Sequence, residues 1–189
     1  MKKHLLIGIL FLFNTTIGAQ SDADFIKETI ENYMAVVKAK DYVKTMDYLY
    51  PKLFDLVPRS VLEESLKNQA QDTTIQIEFE NNTIEKISKV LLLKGIKYAL
   101  VDYSFLMKMT IKGKDEEGLK MMQILFEGSY GKKNVSLDTE NSTFSIQVNR
   151  ATYLINNPEY EGWKLLERKE GLLSLLEKIL PKKVLKKLK

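Results

Sequence analysis

Cysteine is absent from this 189-residue chain, and histidine occurs once, as His4. Without thiols the chain can build no disulfide scaffold, no thiolate zinc site, no Cys nucleophile and no lipid-modified N-terminal Cys. Glycine (9) and proline (4) are sparse, and no Pro/Gly/Ser-rich linker or internal repeat divides the sequence, so its length points to one domain. No glycines fall in the G-x-x-x-x-G-K or G-x-G-x-x-G spacing of a phosphate-binding loop. Gly113, Gly118, Gly128 and Gly131 read instead as hairpin turns. The acids lack EF-hand spacing, and the run Asp115-Glu116-Glu117 reads as a solvated turn. Nothing in the composition calls for a cofactor or a metal. Apolar runs are short too: Leu5 to Phe13, broken by Gly8, falls well under the roughly 20 residues of a spanning helix.

That run has another meaning. Lys2 and Lys3 precede it, and Ile17-Gly18-Ala19 offers a small residue at a cleavage point before Gln20. This is the pattern of a secretory signal peptide over residues 1–19, predicting export to the periplasm or the outside of the cell. The lysine-rich, acid-free start and the Ala-Gln junction resemble exported proteins of Bacteroidetes-type bacteria. Removal of His4 with the signal leaves neither His nor Cys. Ser-His-Asp and Cys-His machinery are then excluded, along with the usual general base near neutral pH.

The net charge of +4 is unevenly placed. Two of the 29 basic residues lie in the signal and six in Lys178 to Lys189, so the other 21 face all 25 acids. Residues 20–177 are therefore mildly acidic, and the basic character is a C-terminal feature.

Along the rest of the chain the period changes from helical to alternating. Ser21-Asp22-Ala23-Asp24 supplies capping chemistry for a helix with Ile26, Ile30, Tyr33, Met34 and Val37 on one stripe. Asp41 can cap a second helix carrying Val43, Met46, Leu49 and Tyr50, which Pro51 stops. Ser60 and Glu63 have capping-box spacing before a third helix with Leu62 and Leu66 facing inward. From Thr73 the alternation predicts strands at Ile75–Phe79, Ile84–Leu93 and 96–111. Further strands are predicted at Leu119–Tyr130, with Met122, Ile124, Phe126 and Tyr130 on one side, then at Phe144–Val148 continued by Tyr153–Ile155, and at Trp163–Arg168. Three helices, a run of antiparallel strands and a terminal helix make the fold class α+β.

Two segments carry a resemblance. Lys40-Asp41-Tyr42-Val43-Lys44-Thr45-Met46-Asp47-Tyr48-Leu49-Tyr50-Pro51 looks like the segment after the first helix of the NTF2-like (SnoaL-like, cystatin-fold) superfamily. Glu161-Gly162-Trp163-Lys164-Leu165 looks like its closing strand. The resemblance spans roughly residues 22–170, and the domain is taken as residues 20–170. It implies N-terminal helices packed on a strongly curved antiparallel sheet, a cone-shaped half-barrel enclosing a pocket. It also implies that a homodimer through the sheet is possible, but it implies no chemistry, because the fold hosts enzymes and binding modules alike.

Enzymatic members of that superfamily place acids, histidines or tyrosines in the cone. Here only carboxylates and tyrosines are available. Asp102 sits mid-strand among apolar neighbours, yet it shares its phase with Ser104, Lys108 and Thr110, which predicts the solvent face. Asp41 and Asp47 read as a cap and an exposed helical position. Tyr33, Tyr103 and Trp163 are the candidate ligand-binding residues, each an apolar body with one polar tip. Met107, Met109, Met121 and Met122 suit either an adaptable apolar site or an irregular core.

Residues 171–189 are predicted to form a basic amphipathic C-terminal helix with Leu172, Leu176, Ile179, Leu180, Val184, Leu185 and Leu188 as its apolar stripe, kinked or restarted at Pro181. It can close the open end of the half-barrel. Alternatively Lys178, Lys182, Lys183, Lys186 and Lys187 can hold it on an anionic membrane. No aromatics interleave with these lysines, which argues against nucleic acid. The expectation is an exported, non-catalytic binding domain whose partner is a small apolar ligand or a protein. The alternatives are a cofactor-free isomerase or dehydratase using a buried acid and a tyrosine, and a membrane-surface module.

Overall fold

The computed structural model describes residues 21–189. The signal-peptide reading and His4 lie outside the described residues. Helix α1 (Asp22–Lys38) opens with a complete capping box: the Ser21 hydroxyl accepts from the Asp24 amide, and the Asp24 carboxylate accepts from the Ser21 amide at 3.0 Å. Its inner stripe, Ile26, Ile30 and Met34, is buried. Asp41 caps α2 (Tyr42–Tyr48) by accepting from the Lys44 amide at 3.1 Å. On this helix Met46 is buried and Val43 is exposed, and the helix ends at Tyr48, before the expected stop at Pro51. Helix α3 (Arg59–Gln71) starts directly after Pro58, one residue before the expected cap. Ser60 is therefore inside the helix, and Glu63 binds Lys67 at 2.6 Å instead of closing a capping box.

One six-stranded antiparallel sheet follows, and it is not closed into a barrel. Strand β1 (Ile75–Ile87) runs continuously through the segment expected to break near Asn81. Two register shifts and a left-handed Asn81 (φ 52°) bend it there, as an inserted bulge does. Strand β2 (Leu91–Leu93) turns back at Gly95 onto β3 (Ile96–Ile111). The long β3 pairs β1 on one side and β5 (Thr143–Asn156) on the other. Strand β4 (Val135–Asp138) pairs the start of β5, and β6 (Lys164–Arg168) pairs its end. The result is α+β, with helices packed on a curved antiparallel sheet.

The segment read as a strand over Leu119–Tyr130 is a helix, α4 (Glu116–Tyr130). Asp115 caps it by accepting from the Gly118 amide at 2.9 Å, Glu116 and Glu117 complement the dipole, and Glu116 holds Lys120 at 2.6 Å. Gly131, at φ 88°, ends it. Gly118 and Gly128 consequently lie within the helix and not in turns. Leu119, Met122, Phe126 and Tyr130 face the core, while Met121, Ile124 and Leu125 are exposed. Apolar residues on both faces mimic strand alternation, which is why Met122, Ile124 and Phe126 read as one side of a strand.

Two cores result, one on each face of the sheet. Ala99, Val101, Tyr103, Phe105 and Met107 of β3 join Phe144, Ile146 and Val148 of β5 and the inner stripe of α1. On the opposite face Tyr98, Leu100, Tyr153, Ile155 and Leu166 are covered by the C-terminal segment. That segment is two helices, α5 (Leu173–Ile179) and α6 (Lys182–Lys187), separated at Pro181. Leu176, Leu180, Val184 and Leu188 are all buried, and the Tyr153 hydroxyl donates to the Leu188 carbonyl at 3.2 Å. The stripe therefore closes the second face of the sheet and not the open end of the half-barrel; of this region, Leu172 and Leu175 reach the cavity on the first face.

Candidate functional site

Helices α1, α2 and α3 stand off the first face of the sheet and leave an open cavity of about 700 Å³. Small-molecule sites span about 300–1,000 Å³ and are mostly apolar, with a few placed polar groups. This cavity has that make-up. Ile77 and Phe79 of β1 and Met107 and Met109 of β3 form the sheet wall, and Leu62 and Leu66 of α3 form the opposite one. Phe79 meets Phe105 edge-on at 5.6 Å. Thioethers and rings give this wall an adaptable, polarizable surface.

On the sheet wall the polar groups collect at one end, while Tyr42, Thr45, Ser65, Gln69 and Tyr130 add polar atoms from the helices. Tyr103 of β3 stands opposite Arg150 of β5 in the ladder, and Thr152 of β5 stands opposite Glu167 of β6. All four line the cavity together with Tyr33 of α1. Arg150 and Glu167 form an ion pair, Nε to Oε1, at 3.4 Å. Burial, with a smaller contribution from Glu167, pushes the Tyr33 phenol from 10.0 up to about 12. Burial, with the neighbouring Tyr33 and Glu167, pushes Tyr103 up as well. Both phenols therefore stay neutral hydrogen-bond donors under physiological conditions.

Neither hydroxyl has a hydrogen-bonding partner among the described residues, where no polar side-chain atom is both sealed from solvent and unpartnered. The hydroxyls therefore open onto the cavity. Tyr103 is fixed by stacking on Phe105 at 6.1 Å, and Tyr33 by an edge contact with Tyr48 at 6.0 Å. Both donors are thus held by ring contacts and have no protein acceptor among the described residues.

Of the three tyrosine and tryptophan candidates, the structure brings Tyr33 and Tyr103 together in the cavity wall. Trp163 is buried in the first core and lies off that wall. Asp102 is half-buried on the opposite face, beside Lys86 and Ala151. Asp41 is the cap of α2, and Asp47 pairs with Arg59 at 2.7 Å on the surface. Met107 and Met109 line the cavity, Met122 packs on the core and Met121 is exposed.

Arg150 and Glu167 escaped the sequence reading. Both had a signal. Arg150 keeps the phase of Phe144, Ile146 and Val148, and Glu167 that of Leu165, so each is a charged residue on a core-facing position. The stretch Asn149–Thr152 resembles a break between two strands, which conceals the continuous phase of β5.

Among the described residues no cluster of acids could hold a metal ion, and no helix is long and apolar enough to cross a membrane. No family model matches this chain, and no curated protein matches it as a relative.

Proposed function

We propose that this is an exported binding domain of the NTF2-like type that holds a small, largely apolar molecule without transforming it. The open, largely apolar cavity with a polar end on its sheet wall carries the reading. The curved sheet with three preceding helices supports the superfamily, and the N-terminal sequence supports export. Native mass spectrometry of the protein expressed from its full-length gene tests it. A bound small molecule, or uptake of an added apolar probe, is the expected result. A protein that takes up no apolar probe would overturn the reading.

A protein partner is the second reading, favoured by the exposed Met121, Ile124 and Leu125 on α4. Exposed apolar residues clustered on one helix face commonly mark contacts. Sedimentation of the wild type against Ile124→Glu tests whether that face joins two copies: a shift from dimer to monomer supports it, and identical behaviour removes it.

A further inference from the structure

The polar end of the cavity has donors in excess of acceptors. Arg150 presents its Nε edge to Glu167 at 3.4 Å, and no hydrogen bond forms across that gap. Its two terminal Nη groups have no acceptor among the described residues, and neither do the hydroxyls of Tyr33 and Tyr103. Only Glu167 supplies a charged acceptor at this end, and it is half out in solvent, with 47% of its side chain exposed. Everything further along the sheet wall, from Phe79 to Met109, is apolar.

We infer that the ligand is an amphiphile with a single carboxylate, whose head group seats on Arg150, Tyr33 and Tyr103 and whose hydrocarbon tail lies along Phe79, Met107 and Met109. This rests on the small-ligand reading above and narrows it to a chemical class. A guanidinium fork matches the two oxygens of a carboxylate, and charge-assisted bonds are about twice as strong as neutral ones. The phenols add neutral donors that demand no counter-charge. A dianionic head fits poorly: Glu167 stands beside the guanidinium, and Lys40, the other cation lining the cavity, is exposed on the turn after α1. A cationic head would meet Arg150.

Displacement of N-phenyl-1-naphthylamine, a neutral fluorescent probe, measured on the whole protein at about pH 8, tests the assignment. Dodecanoate is ionised there, while dodecanol has the same tail and no charge. Dodecanoate is expected to displace the probe at about tenfold lower concentration than dodecanol, the ratio one charge-assisted contact supplies. Arg150→Met should remove that ratio by weakening dodecanoate about tenfold. Glu167→Gln, at an exposed position, should tighten dodecanoate about threefold or more by freeing the guanidinium. Circular dichroism checks that both variants fold; if Arg150→Met does not, Glu167→Gln decides alone.

Equal displacement by dodecanoate and dodecanol, or an unchanged Glu167→Gln affinity, overturns the carboxylate assignment and leaves the apolar-pocket reading standing. A protein that never binds the naphthylamine, dodecanol or dodecanoate overturns both.

Discussion

Arg150 faces Tyr103 across the β3–β5 ladder, and both side chains stand on the cavity side of the sheet. A cation and a phenol without hydrogen-bonding partners thus sit as cross-strand neighbours, with Thr152 and Glu167 beside them and a wall of Phe, Met and Ile beyond. Such a pair is stabilised by burying apolar stems and has no protein hydrogen-bond acceptor at its polar tips.

Tyr103→Phe removes only the tip. Its thermal midpoint should stay within about 2–4 °C of wild type, while dodecanoate affinity falls about threefold to tenfold. Trp163→Phe should behave in the opposite way, because Trp163 is a core residue off the cavity wall. It is expected to cost about 1–3 kcal/mol in urea titration and to leave dodecanoate affinity unchanged.

The buried phenols predict the alkaline limb of stability. Tyr33 ionises at about 12 in the folded protein against 10.0 in the ordinary case, because burial penalises the phenolate. Between those values the unfolded chain releases the proton and the folded protein retains it, so fewer protons are bound in the unfolded state. Stability is therefore full below about pH 10 and is lost as pH rises through 10 to 12. Absorbance at the tyrosinate band should show Tyr33 and Tyr103 ionising above the ordinary tyrosine value. Urea titrations of Tyr33→Phe across the same range should show a shallower fall.

Helix α4 makes opposite predictions for two glycines. Gly128 lies inside the helix, and a Cβ there meets nothing within 4 Å. Gly128→Ala should stabilise the protein by about 0.4–1 kcal/mol by restricting the unfolded chain. Gly131 ends the helix at φ 88°, so Gly131→Ala should destabilise by about 1 kcal/mol or more. A hairpin in place of the helix would make both substitutions unfavourable, and urea midpoints distinguish the cases.

The C-terminal segment is integral to the second core. Leu176→Ala empties a fully buried site and should cost about 2–5 kcal/mol. Leu173→Ala, three residues earlier and half exposed, should stay within about 0.5 kcal/mol. Equal, small effects in urea titration would mean that the leucine stripe is not seated on Tyr98, Tyr153 and Ile155.

Local chemistry alone was enough to specify several parts of the molecule. The Ser21–Asp24 cap and the Ile26, Ile30, Met34 spacing determined α1; Asp41 set the start of α2, although the helix ends at Tyr48, short of Pro51; alternation from Ala99 to Met107 determined the inner face of β3. These signals are short-range, set by helical and strand periods that any window of the chain displays. The caps of α4 were equally local, with Asp115 before it and Gly131 after it, but apolar residues on both faces concealed its period. What tertiary structure alone decided was partnership. Whether the C-terminal leucines cover the open end or the second face depends on where Tyr98, Tyr153 and Leu166 present their own surface. Whether Arg150 and Glu167 meet Tyr33 and Tyr103 depends on the β3–β5–β6 register and on how far three helices stand off the sheet. A cavity is a volume that packing leaves unfilled, and residues far apart in the chain become its wall only when long-range pairing brings them together.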